Sequence, residues 1–134
     1  MSEENVEIIR EAFERWNRRD IDYWIQHAHP QVEVWSKYAA LDQGGEPYRG
    51  HEGMREWRAE IDRNFELHQV LAEDVRDVEG KVLVLGAVRF RGKVSRAEMQ
   101  HPFGWVCEMR GGALVRMFFY SSHAEALEAA GLRE

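Results

Sequence analysis

Acid–base chemistry near neutral pH needs a side chain that titrates there, and the chain offers six histidines. Strand periodicity singles out His101. Met99, His101, Phe103, Trp105, Cys107 and Met109 alternate with Glu98, Gln100, Pro102, Gly104, Val106, Glu108 and Arg110, the pattern of a strand with one face turned inward. On that pattern His101 is the one imidazole on an inward row, where its neutral form could accept a proton as a general base does. Standing near the strand's start, it could equally do no more than hydrogen-bond at a rim. The other histidines suggest less. His27 and His29 are two residues apart, a spacing that does not put both on one helical face, and His51, His68 and His123 are scattered. No metal site and no cofactor is therefore expected. Gly44-Gly45 lacks the Lys-Ser/Thr ending of a phosphate loop, and Cys107 has no activating base beside it in sequence.

Composition bounds the rest. The chain has 134 residues, 44% of them hydrophobic, which suits one domain over 1–134 and is too little for two. The formal net charge of −6, without a basic block, argues against nucleic acid and anionic lipid as partners. No apolar run approaches the roughly 20 residues of a membrane span, and the start Met1-Ser2-Glu3-Glu4 is not a signal peptide. The single cysteine excludes an intrachain disulfide and fits a cytoplasmic location. Five tryptophans are a surplus that serves either a core or the lining of a pocket.

The elements that must position these residues follow from period. Val6, Ile9, Phe13 and Trp16 recur at helical spacing, with charged residues opposite. Asn17-Arg18-Arg19 closes that helix. Asp20 is placed to cap a second, shorter one containing Tyr23, Trp24, Ile25 and Ala28, which Pro30 should end. Residues 32–36 read as a strand and 39–50 as a loop. A third helix starts near Glu52 with Met54, Trp57, Ile61 and Phe65 as its apolar stripe. Strands are expected over about 66–78, 81–91, 97–110 and 113–120, with Glu79-Gly80 and Arg110-Gly111-Gly112 as hairpin turns. Ser122 and Glu125 have capping-box spacing for a last short helix.

That order, with particular residues, resembles the nuclear transport factor two-like superfamily and, within it, the SnoaL-like (polyketide cyclase-like) branch. The matching stretches include Glu4 to Arg10, Trp16-Asn17-Arg18-Arg19-Asp20 and His29-Pro30-Gln31-Val32-Glu33. They continue through Tyr48-Arg49-Gly50-His51-Glu52-Gly53, Pro102-Phe103, Gly111 to Met117 and Ala124 to Leu127. The resemblance implies an α+β cone: a strongly curved, mostly antiparallel sheet wrapped around three helices, plus a short C-terminal helix. It also implies a cavity for a small, apolar or polycyclic molecule, and a homodimer joined through the sheet's outer face.

Within the resemblance, Phe13, Trp16, Trp35, Trp57, Phe103 and Trp105 come from the elements that face the cone and are the expected ligand-binding group. In SnoaL-like cyclases an aspartate or histidine moves a proton at an acidic carbon. His101 could serve so here, with Tyr38, Tyr120 or Ser36 orienting a carbonyl. The places that carry the tyrosine, the aspartate base and the protonated acid of steroid-isomerase relatives fall on Ala12, Ser36 and Trp105, so that reaction is not expected. Epoxide-hydrolase relatives need an Asp-Arg-Asp relay. Arg58 and Arg89 are the arginines to inspect, and sequence puts no clear acidic pair beside either, so solvated side chains are expected. The chemistry expected is cofactor-independent, with a non-catalytic ligand-binding or dimeric interaction module as the alternative.

Overall fold

The computed structural model describes residues 2–35 and 46–132. In chain order these form α1 (Ser2–Asn17), α2 (Ile21–Gln26), β1 (Ala28–Trp35), β2 (Tyr48–Arg49), α3 (Gly50–Asn64), β3 (Phe65–Val78), β4 (Lys81–Gly92), β5 (Glu98–Arg110), β6 (Ala113–Tyr120) and α4 (His123–Ala129). One six-stranded sheet runs β2-β1-β6-β5-β4-β3. β1 and β6 are parallel and every other neighbouring pair is antiparallel. This is the expected α+β cone, its mixed sheet left open.

Backbone chemistry explains the hairpins and the bend. Glu79 and Gly80 both take positive φ (52° and 87°), as do Gly111 and Gly112 (59° and 79°), the geometry of a two-residue turn whose twist matches the strands. Midway along β3 the register with β4 slips between Ala72 and Asp74. Gly86 lies opposite this bulge, and a Cβ there would stand 1.8 Å from the Leu71 carbonyl oxygen, so only glycine lets the strands approach as they curl. On α4, the Ser122 side chain accepts the Glu125 N–H at 3.1 Å, as its spacing implies.

Several local expectations need correction. α2 ends at Gln26 instead of running to Pro30. The His27 carbonyl accepts the Leu114 N–H at 2.8 Å and Ala28 lies in register with Leu114, so pairing with β6 pulls the chain into strand first. Pro30 sits within β1, where the ladder to β6 is interrupted between Ala28 and Glu33 and no donor is required. Asp20 occupies the cap position of α2 without capping it, because its carboxylate takes Arg15 Nη1 at 2.9 Å. Tyr48 and Arg49 form β2, inside the stretch expected to be loop, and Ser36 and Tyr38 fall outside the described residues.

β3 is an edge strand, and α1 closes much of that edge. The Asn17 side chain donates from Nδ2 to the Val70 carbonyl at 2.8 Å and accepts the Val70 N–H at 2.7 Å, doing for one residue what a neighbouring strand would do. Arg10 reaches the Val75 carbonyl at 3.4 Å further along. The main core lies between α1–α3 and the inner face of the sheet, and includes Phe13, Trp16, Trp24, Met54, Trp57, Val84 and Trp105. A second, smaller cluster of Leu83, Leu85, Val106 and Ala126 packs on the outer face beneath α4.

Replacing Asn17 by Ala leaves the donor and the acceptor of Val70, 4% exposed, without partners. Urea denaturation should show a loss of about 2–3 kcal/mol for Asn17→Ala, the cost of buried unsatisfied backbone groups.

Candidate functional site

Helical and strand periods bring seven aromatic rings to one place. Phe13 and Trp16 come from α1, Trp35 from the end of β1, Trp57 from α3, Phe103 and Trp105 from β5, and Phe119 from β6; with Ile61, His68, Val70, Val88 and Met117 they line a single cavity. All six aromatic residues singled out in sequence are therefore gathered there. Their rings support one another: Trp16 lies 4.4 Å from Trp57 at 30°, Phe13 lies 5.1 Å from Trp105, and Phe103 meets Phe119 edge-on at 4.7 Å. Trp24 backs this wall, set edge-on to Phe13, Trp16 and Trp57. The lining leaves about 460 Å³ between its side chains, solvent-open space included, but a water molecule's centre can move through only about 30 Å³ of it. The smaller figure decides what fits without rearrangement: one small ring at most, and a polycyclic ligand only if the rings turn aside.

His68 is the only ionisable side chain among the described lining residues. Trp16 Nε1–H donates to its Nδ1 at 3.1 Å. An indole has no acceptor, so this bond fixes the neutral tautomer with its proton on Nε2. Burial, reinforced by the Arg58 guanidinium, pushes the imidazole from 6.5 down to about 4. At neutral pH His68 is thus an uncharged hydrogen-bond donor whose other nitrogen is already engaged.

Arg58 holds this arrangement from behind. The expected solvated side chain is in fact 6% exposed. Its guanidinium lies over the Trp16 ring at 4.2 Å, donates to the Trp16 carbonyl at 3.2 Å, and pairs with Asp62 at 2.6 Å, one helical turn on. Asp62 is held below the usual carboxylate range by Arg58, with Arg19 and Lys93 adding to the effect against the opposing influence of burial.

The remaining candidates lie elsewhere. His101 is in register with Val88, so it shares the inward row of Phe103 and Trp105, but it lies beyond the helices' cover and is exposed, stacked on Phe103 at 5.6 Å. Tyr120 packs with the outer-face cluster beneath α4, on the opposite side of the sheet from the cavity, and burial raises its phenol. Arg89 is a surface residue paired with Glu98 at 2.7 Å. Tyr38 is outside the described residues. His27, His51 and His123 each bond a backbone carbonyl through one ring nitrogen, and His29 Nδ1 accepts the Gln31 N–H. Cys107 is fully buried, its thiol pushed far up by that burial. Among the described residues no three His, Cys, Asp or Glu side chains come together to hold a metal ion, and no helix is long and apolar enough to cross a membrane.

Known proteins share this architecture. The family model of the SnoaL-like domain matches residues 9–117. A nuclear transport factor two-like protein of unknown function from Burkholderia pseudomallei superposes with a TM-score of 0.80 at 19% identity, covering 96% of this chain and 97% of that one. TerC, co-crystallised with polyporic acid, gives 0.78 at 20% identity over 96% and 98%. A proposed SnoaL-like polyketide cyclase from Jannaschia gives 0.75 at 17% over 97% and 92%. At such identities the likeness is one of fold. No curated protein matches the chain.

The His68 environment has a pH signature. Its folded pKa lies below the unfolded value, so between about pH 6.5 and 4 the unfolded chain binds a proton that the native one refuses, and stability falls as pH drops through that window. Urea titrations should show a loss on the order of 2–3 kcal/mol between pH 7 and 4 from this group, and His68→Gln should flatten that part of the curve.

Proposed function

The chain belongs to the SnoaL-like domain family, and from that membership we propose that it binds a small, flat, largely apolar molecule carrying an oxygen acceptor, with His68 donating a hydrogen bond to that oxygen. The observation that carries this reading is one neutral imidazole set into a wall of seven aromatic rings. Rings supply stacking surface for a flat ligand. A neutral donor in a low-dielectric wall polarises a carbonyl, or stabilises an enolate, without the cost of burying a positive charge on itself.

This is a cofactor-free arrangement, and its chemistry is that of a hydrogen-bond donor. Proton transfer at a carbon beside the carbonyl needs a base as well. His68 cannot supply one at neutral pH, because Nδ1 is held by Trp16 and Nε2 carries the proton. His101, at the exposed end of the same inward row, is the described residue that could act so on a ligand projecting from the cavity. A homodimer through the outer sheet face in the cytoplasm completes the reading. It would have to form beside α4, which already covers Leu83, Leu85 and Val106.

Tryptophan fluorescence follows the cavity directly, since four of its lining residues are tryptophans. Titration with phenol, cyclohexenone and polyporic acid, the molecule crystallised with TerC, should quench emission saturably. His68→Phe should weaken the oxygen-bearing ligands by about tenfold, the value of one buried hydrogen bond, and leave toluene unchanged. His101→Ala should leave affinity intact and lower only turnover. If no ligand in the panel alters the emission, the pocket reading is wrong; sedimentation at micromolar concentration tests the dimer separately.

A further inference from the structure

A second, polar space adjoins the aromatic cavity and shares His68 with it. It is lined by Asn17, Arg19, Arg58, Leu67, His68 and Gln69 and gives a water molecule's centre about 60 Å³ to move in, against about 30 Å³ in the aromatic cavity. We propose that this space is an anion subsite, taking the carboxylate or enolate end of a ligand whose ring lies in the aromatic cavity. The inference rests on the binding role proposed for that cavity and names the charge class of its ligand.

Three observations carry it. First, the local charge is unbalanced. Arg19 and Arg58 both lean on the single carboxylate of Asp62, at 3.4 and 2.6 Å, and Lys93 acts on the same group. Next to them Arg91 and Arg96 share Glu66, and Arg91 with Arg89 shares Glu98. A chain of net charge −6 thus keeps a positive corner at one end of its cavity.

Second, Arg58 has capacity to spare. Nε–H and one hydrogen on each terminal nitrogen are committed to Asp62 and the Trp16 carbonyl. Of the five N–H hydrogens of a guanidinium, one on Nη1 and one on Nη2 remain to meet an anion. His68 Nε2–H adds a third donor on the shared wall.

Third, Arg19 is held in a conformation that does not suit it. α1 closes with the Asp20 N–H on the Arg15 carbonyl and the Arg19 N–H on the Trp16 carbonyl, a motif whose penultimate position is left-handed and usually glycine. Arg19 has φ 62° there. A strained residue where glycine would fit better points to a task for its side chain, and that side chain reaches Asp62 and the Glu66 carbonyl at the edge of the polar space.

The test compares benzoate with benzamide, nearly the same shape with and without charge, by calorimetry on the full chain. Benzoate should bind at least about tenfold more tightly. Arg19→Gly, which relieves the left-handed strain, should hold or raise the Tm while cutting the preference about threefold. Arg58→Lys, which keeps the charge but loses the guanidinium N–H groups, should remove most of the preference, read as the ratio of the two affinities within that variant. Equal binding of the two ligands overturns the anion subsite and leaves the aromatic pocket standing. Binding of neither overturns the pocket itself. A benzoate preference that survives both substitutions shows that the anion is held elsewhere and overturns the assignment.

Discussion

Two consecutive residues at the end of α1 tie the helical layer to the sheet. Trp16 bonds the side chain of His68, and Asn17 bonds the backbone of Val70 on both sides. Because helix and strand advance at different rates per residue, such a double attachment fixes both the height and the rotation of α1 over β3. The aromatic wall depends on that setting. Phe13 meets Trp105 and Trp16 meets Trp57 only while α1 is held in register with the strand beside it. The same attachment sets the protonation state of the site, since the indole that anchors the helix also dictates which imidazole nitrogen keeps its proton.

Stability and binding are therefore drawn from the same contacts. Arg58 braces Trp16 through its ring face and its carbonyl, and is itself neutralised in part by Asp62. Burying the Arg58 charge is costly unless it is well hydrogen-bonded, and it is: Asp62, itself partly exposed, meets it one helical turn on, and the Trp16 carbonyl accepts from it. The aromatic cavity is narrow because its rings pack on one another as a core would. A ligand competes with those internal contacts and is favoured only if it replaces them with equally close ones and satisfies the imidazole as well.

Much of this was legible in the sequence, for physical reasons. Two-residue turns with glycine, the capping pair Ser122 and Glu125, and the step from helical to strand period are local signals and act locally, although Phe65, read as the last of the helical stripe, is the first residue of β3. The aromatic group was legible because each member but Trp35 stands on the apolar stripe of its own element; Trp35 alternates with the buried Val32 and Val34, shares its row with Glu33 and stacks on Phe118. His68 was not. Glu66-Leu67-His68-Gln69-Val70 has no clean alternation, and what gives the imidazole its meaning is Trp16, distant in sequence. Arg58 carried a readable clue that charge alone concealed: it falls four residues after Met54 and three before Ile61, on the buried stripe, with Asp62 one turn further. His101 shows the opposite limit, for strand parity gave its face correctly and says nothing of where the covering helices stop. Pro30 misled because its restriction on the preceding residue suits a strand as well as a helix end.

The parallel pairing of β1 with β6 also bears on how the molecule comes together. These strands lie near opposite ends of the chain, yet Ala28 must find Leu114 and Val34 must find Met117 before the sheet is complete. The meander β3–β6 can zip through adjacent hairpins, each closing a short loop. Joining β1 to it closes more than half of the sequence at once, the kind of long-range contact that slows folding most. Assembly should proceed in two stages: an early meander carrying Phe103, Trp105 and Phe119 of the aromatic wall, then capture of the helices and β1 that bring the other rings. Until that capture His68 stands without its indole, free to protonate like any histidine.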